Sequence, residues 1–195
     1  MRLIWIRHGE TEENRARRYL GHYDAPLTAR GREQAAAAAL RLQGEHVHYM
    51  YTSDLVRCRE TADLVARPHG MEPIAAPALR ELDFGLWDRK TYEEIMRTHK
   101  SLAEKWYNHP YDTAPPNGES LRDLGHRLDT WLRKLTRQMM SDETAVLVTH
   151  GGPIRWFLAA HVVQDPEKFW SVAAPGTGSI IVVNKGRQKW TVSSL

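Results

Sequence analysis

The sequence predicts an α/β fold: a three-layer α/β/α sandwich on a mostly parallel central sheet, with a helical lid insertion. Two observations carry this. Short apolar runs alternate with helical segments along the 195 residues, the rhythm of βαβ units, which lay helices on both faces of a parallel sheet. Two of those runs, Leu3 to Ile6 and Ala145 to Val148, end in Arg7-His8-Gly9 and Thr149-His150-Gly151-Gly152. Each strand thus carries a histidine at its carboxyl end, the edge where open α/β sheets bind ligands.

Taken in order, a strand at 2–6 is followed by an Ala-rich helix at about 28–42 and a strand at 47–51. A helix at about 54–67 is opened by Ser53 or Asp54, both good N-cap residues. After a short strand near 73–76, the polar, aromatic-rich stretch 87–117 closes in Ala114-Pro115-Pro116-Asn117-Gly118, a loop signal, and reads as an inserted lid. An amphipathic helix at about 119–140, a strand at 144–149, a helix at about 153–163 and two β-rich runs at 179–184 and 188–193 complete the chain. With no repeat, linker or low-complexity segment, residues 1–195 read as one domain with a lid-like insertion at about 87–117.

Composition excludes several classes. The net charge is only +3 and the signs are interspersed, so there is no basic stripe for nucleic acid, while a small anionic substrate is mildly favoured. No run approaches the roughly 18 apolar residues of a membrane helix. The first strand begins almost at once, leaving no room for a signal peptide. The single cysteine, Cys58, has no internal disulfide partner. These readings lead to the expectation of a cytoplasmic protein; whether it is a monomer or a homodimer is left open by the sequence.

A neutral imidazole is a good nucleophile near neutral pH, and a phosphorylated imidazole is reactive enough to be hydrolysed in a second step. His8 in a crevice could serve so, with nearby arginines binding the phosphate through their planar forks. Arg57 could reach the same edge from the first turn of its helix, although beside Arg59 and Glu60 it reads, in isolation, as a surface residue. Glu81 alone is uninformative, and Asp83, two residues on, would project to the same side of an extended segment.

The ordered set of motifs resembles the histidine phosphatase, or phosphoglycerate-mutase-like, superfamily over nearly the whole chain. It comprises Arg7-His8-Gly9-Glu10-Thr11 with Asn14, Gly21 to Thr28 with Gly31 and Gln34-Ala35, and Ser53-Asp54-Leu55 with Arg57 and Thr61-Ala62. Arg80 to Trp87, Gly118-Glu119-Ser120 and Thr149-His150-Gly151-Gly152 complete it. The resemblance implies a phosphohistidine formed on His8, with Arg7, Arg57 and His150 around the phosphoryl group. Glu81 would be the general acid and then the base, with Asn14, Gly21 and Gly151 lining the phosphate site. It implies no metal and no cofactor. Two departures stand out: Leu20 occupies a position often polar in relatives, and Asp88-Arg89-Lys90 replaces a common Glu-Gly and small or polar residue.

Rival classes lack their signatures. A cysteine-dependent phosphatase needs an arginine six positions after the cysteine, where this chain has Leu64; P-loop, nucleophile-elbow and His-Glu-x-x-His patterns are absent. A metal site from His8, His150 and Glu81 ranks far below the phosphohistidine reading. Mutases of the superfamily look longer, and non-catalytic binders would have lost the nucleophile or acid, so the chain reads as a phosphatase of a small phosphorylated metabolite. The region Phe84 to Trp87 and the turn at Pro116 to Ser120 are similar to α-ribazole phosphatases of cobalamin biosynthesis and to broad-specificity phosphatases. Trp87, Trp106, Tyr107 or Tyr111 could roof a pocket and stack an aromatic base, although at least half of them are expected to pack the lid.

Overall fold

The computed structural model describes residues 1–187 and 189–195. Its strands are β1 (Arg2–Arg7), β2 (Tyr49–Thr52), β3 (Ile74–Ala75), β4 (Thr144–Thr149), β5 (Ile180–Lys185) and β6 (Trp190–Ser193). Its α-helices are α1 (Glu12–Arg15), α2 (Ala29–Leu42), α3 (Val56–Ala66), α4 (Tyr92–Asn108), α5 (Leu121–Gln138) and α6 (Gly151–Phe157). The strands form one sheet in the order β3-β2-β4-β1-β5-β6.

Alternation of side chains along β1 explains the layering. Leu3 and Trp5 point to one face and Ile4 and Ile6 to the other, and all four are fully buried, as expected of a strand covered on both sides. Ala38 and Leu42 of α2 and Cys58, Ala62 and Val65 of α3 pack on the Ile4/Ile6 face. On the other face, α5 contributes Leu124, Leu128 and Leu132, and α6 contributes Ile154 and Phe157, against Leu3, Trp5 and Leu147. Each buried leucine contributes about 2 kcal/mol of transfer free energy. β1 to β4 are mutually parallel, with β1 and β4 in register from Arg2↔Thr144 to Arg7↔Thr149. That register brings Arg7 level with Thr149, so His8 and His150 leave the sheet side by side. The C-terminal strands β5 and β6 add two antiparallel pairings. The expected run 188–193 starts at Gln188, which lies outside the described residues; β6 begins at Trp190.

The start of α3 differs from expectation. Leu55 is its N-cap residue and makes no side-chain cap. Asp54 is engaged instead by Arg80, through Nε at 2.8 Å and Nη2 at 2.5 Å. The Val56 N–H is capped from elsewhere in the chain, by Asp24 Oδ1 at 2.6 Å, which satisfies a helix-end donor just as a local cap would. Segment 87–117 carries α4, opened by a Thr91/Glu94 capping box and kinked at His99 (φ −138°, ψ 36°). α5 opens with a second capping box, Ser120/Asp123. α6 starts two residues before the expected position and continues as a π-helical stretch, Leu158–Val163, ended by Gln164 in the left-handed region (φ 64°). Among the described residues no helix is long and apolar enough to cross a membrane.

Candidate active site

β1 delivers Arg7 and His8 to a cramped turn. The Gly178 N–H donates to the carbonyls of both, at 3.0 Å each, and the His8 N–H donates to Thr149 O at 2.9 Å. Gly9 is required by close approach, because a Cβ there would fall on the backbone of Gly31 in the first turn of α2. His8 is 3% exposed. Its Nδ1 lies 2.7 Å from the Gly9 carbonyl, and since a carbonyl only accepts, the proton sits on Nδ1 and Nε2 keeps its lone pair.

Arg57, which in isolation reads as a surface residue, is fully buried. Its Nη2 donates to Gly21 O at 2.6 Å, its Nη1 to Tyr23 O at 2.8 Å and its Nε to His150 Nδ1 at 3.2 Å. The loop supplying those carbonyls is held in turn by Asp88, whose carboxylate accepts from Gly21 N at 2.9 Å and Tyr23 N at 2.8 Å. The departure Asp88-Arg89-Lys90 therefore has a definite structural job, bracing the loop that orients Arg57. Arginine only donates, so His150 Nδ1 is an acceptor and its Nε2 carries the proton, 2.9 Å from Ser53 Oγ. The rings of His8 and His150 are 5.1 Å apart.

Electrostatics sharpen the arrangement. Burial, reinforced by the Arg57 cation, holds the His8 and His150 pKa values well below the ordinary imidazole range, so both rings are neutral. Burial also lowers Arg7 and Arg57, while the Glu81 carboxylate works in the opposite direction on both; guanidinium groups remain cations under such conditions. The site is thus two neutral imidazoles beside two fixed cations. Burial pushes the Cys58 thiol up to about 12, which leaves it protonated and inert as a nucleophile.

Glu81 sits at the start of α6. Its carboxylate accepts from Gly152 N at 3.0 and 3.1 Å and from Leu82 N at 2.8 Å, and a Cβ on Gly152 would collide with its Oε1. Arg127 of α5 fixes the strip leading to it, donating to the carbonyls of Ala78, Arg80 and Glu81 at 2.9, 2.9 and 2.7 Å while pairing with Glu119. Asp83 is used locally instead, accepting from Gly85 N at 2.8 Å.

Arg7, His8, Arg57, Glu81, His150 and Gly151 are therefore brought to one sheet edge. Gly21 reaches it through its carbonyl, its N–H being taken by Asp88. Asn14 spends Oδ1 on the Thr11 N–H, capping α1 at 3.1 Å. Leu20 is buried and offers no donor.

A cavity of about 200 Å³ opens beside Arg7 and Glu81, walled by Tyr19, Phe84, Trp106, Phe169 and Trp170, with Arg155 as a further charged group. Of the four aromatics expected to roof it, only Trp106 lines it. Trp87 is buried against Trp106, Tyr107 bonds the Tyr19 hydroxyl, and Tyr111 stacks on Trp156. Asp88 and Arg127, and the aromatic wall residues other than Trp106, escape sequence reading because their partners are distant in the chain. Arg155 did leave a signal, three residues after Gly152 and so on the same face of α6.

The family model for the histidine phosphatase superfamily (branch 1) matches residues 3–195. Phosphoserine phosphatase 1 of Hydrogenobacter thermophilus is 33% identical over 171 residues, spanning 88% of this chain and 81% of that protein. The Photorhabdus laumondii protein named "Probable phosphoglycerate mutase GpmB" is 37% identical over 155 residues, 77% of this chain and 70% of its own length. Among solved structures, the α-ribazole phosphatase from Shigella flexneri superposes with a TM-score of 0.90 at 28% identity, covering 100% of this chain and 96% of that one.

Proposed function

Because the chain belongs to the histidine phosphatase superfamily and is a phosphatase of it, we propose that it hydrolyses a small phosphorylated metabolite without a metal, through a phosphohistidine on His8. One observation carries the reading: the Gly9 carbonyl holds the His8 proton on Nδ1, leaving Nε2 free near the half-buried Arg7 and the fully buried Arg57.

In the first step Nε2 attacks phosphorus, the P–N bond forms as the P–O bond breaks, and Glu81 gives a proton to the leaving oxygen. The Gly9 carbonyl stabilises the imidazolium that results. Arg7 and Arg57 balance the charge on the equatorial oxygens, the role positioned cations play in phosphoryl transfer. His150, whose Nδ1 accepts from Arg57 Nε, holds that guanidinium in place for the phosphoryl group. In the second step Glu81 takes a proton from water, whose oxygen attacks phosphorus; the P–N electron pair returns to Nε2 and inorganic phosphate leaves.

For the substrate, α-ribazole 5′-phosphate in a cytoplasmic cobalamin route is one reading, supported by the aromatic walls of the cavity and by the solved relative of that name. A phosphorylated carboxylic acid is the second, favoured by Arg155. Transfer between two positions of one substrate, as in a mutase, is the reading the compact chain favours least. The test is phosphate release from α-ribazole 5′-phosphate, 3-phosphoglycerate and 4-nitrophenyl phosphate in EDTA, with labelled phosphate trapped on His8 by rapid quench. Turnover in EDTA with a label that H8A lacks supports the reading; label on another residue, or an EDTA-sensitive rate, overturns it.

A further inference from the structure

His22 stands between the two halves of the site and has no task in the chemistry above. It occupies the middle of the loop whose Gly21 and Tyr23 carbonyls hold Arg57. Its half-buried ring reaches across to the other half, where Nε2 lies 3.0 Å from the Glu81 carbonyl oxygen. A carbonyl only accepts, so Nε2 carries the proton and donates. Nδ1 faces Asp83 Oδ2 at 3.6 Å, and that carboxylate is itself fixed, its Oδ1 accepting from Gly85 N at 2.8 Å. The two segments are also in close backbone contact, since a Cβ on Gly21 would fall 2.8 Å from both Leu82 O and Phe84 N.

We infer that His22 is a positioning residue for Glu81, setting the carboxyl that transfers the proton against the loop that holds Arg57; this rests on the phosphatase reading above. The lever is one peptide plane. The Glu81 C=O and the Leu82 N–H belong to the same rigid unit, and that N–H donates to Glu81 Oε1 at 2.8 Å. Whatever grips the carbonyl therefore aims the N–H, and the N–H aims the carboxylate. Arg127 grips the same carbonyl at 2.7 Å, but it refers the plane to α5. His22 refers it to the loop that orients Arg57. Because Arg127 still satisfies the carbonyl when His22 is lost, the effect should fall on catalysis rather than on folding.

The experiment measures H22L, H22N and H22Q, together with E81Q and H22L/E81Q, on glycerol 3-phosphate and 4-nitrophenyl phosphate. H22L should lower kcat on the alkyl ester by about 10- to 100-fold, the scale of a group displaced by a fraction of an ångström to an ångström. KM and the vanadate inhibition constant should stay within about twofold, and the aryl ester should lose much less, because its phenolate leaves without an acid. The amide of H22N reaches only the Nδ1 position and should reproduce the loss, so the test stands even if H22L fails to fold. H22Q, whose amide reaches the Nε2 position, should recover most of the rate. In the E81Q background H22L should cost less than about twofold, because residues that act through one another are not additive. Equal losses on both esters, a raised vanadate constant, or a full H22L penalty in E81Q overturns the inference. Absence of 4-nitrophenyl phosphate turnover by the wild type instead removes the phosphatase reading, and this inference with it.

Discussion

The Nε of Arg57 donates to Nδ1 of His150 at 3.2 Å, and both side chains are fully buried. That one bond fixes the histidine's tautomer and aims the guanidinium. Lysine supplies a charge but no fork, so Arg57→Lys should lower kcat/KM on 4-nitrophenyl phosphate by about 10²- to 10³-fold, the scale of losing a transition-state donor. A loss under tenfold in steady-state assays would remove Arg57 from the reaction.

Glu81, held by two backbone N–H groups, is placed to protonate a leaving oxygen. Glu81→Gln should therefore slow alkyl phosphates by about 10²- to 10⁴-fold and aryl phosphates much less, since a phenolate leaves without help. The dependence of rate on leaving-group pKa is the readout, and equal losses across the series would contradict the acid role.

Arg127 does not itself line the cavity, yet it holds three carbonyls of the strip that carries Glu81 and pairs with Glu119. Arg127→Met should cost about 1–3 kcal/mol, because those partners lose a charged donor. At about 2–4 °C per kcal/mol for a chain this size, thermal melting would register the change. Activity should fall in kcat more than in KM.

Asp88 ties the Gly21 and Tyr23 N–H groups whose carbonyls hold Arg57. Asp88→Asn keeps one acceptor oxygen and loses the charge, and should raise the inhibition constant for vanadate by about 5- to 20-fold. An unchanged constant would show that the loop orders itself without it.

Acid should destabilise the fold through two histidines. His8 and His150 sit well below the ordinary value of 6.5 in the folded protein, so below that pH the unfolded chain binds protons that the folded one refuses. Stability is complete above pH 6.5 and declines as pH falls beneath it, by up to about 1.4 kcal/mol per pH unit for each histidine. Denaturant unfolding between pH 5 and 7 measures this, and His150→Gln should nearly halve the slope attributable to the pair.

The strand-end motifs were legible because a strand followed by glycine signals both a turn and a ligand edge; Arg7, His8 and His150 lie where that logic puts them. Arg57 was harder, since Arg59 and Glu60 suggest exposure. Helical spacing held the answer: Arg57, Thr61 and Val65 recur at intervals of four and are all buried. The Asp24 cap on α3 was not legible, because local sequence contains no trace of a donor's partner 32 residues away. Of the cavity wall only Trp106 was within reach; Tyr19, Phe84 and Trp170 come from separate segments and were not, for the same reason.

The bracing of Arg57 has a thermodynamic consequence for the end of the cycle. Long cationic side chains carry about 2 kcal/mol of rotamer entropy, and here that freedom is surrendered during folding, against Gly21, Tyr23 and His150. An anion arriving at the site finds the guanidinium already immobile. Inorganic phosphate benefits as fully as the substrate's phosphoryl group does. A rigid phosphate cradle cannot tell reactant from product, so competitive inhibition by free phosphate accompanies its affinity, and discrimination among substrates falls to the cavity walls.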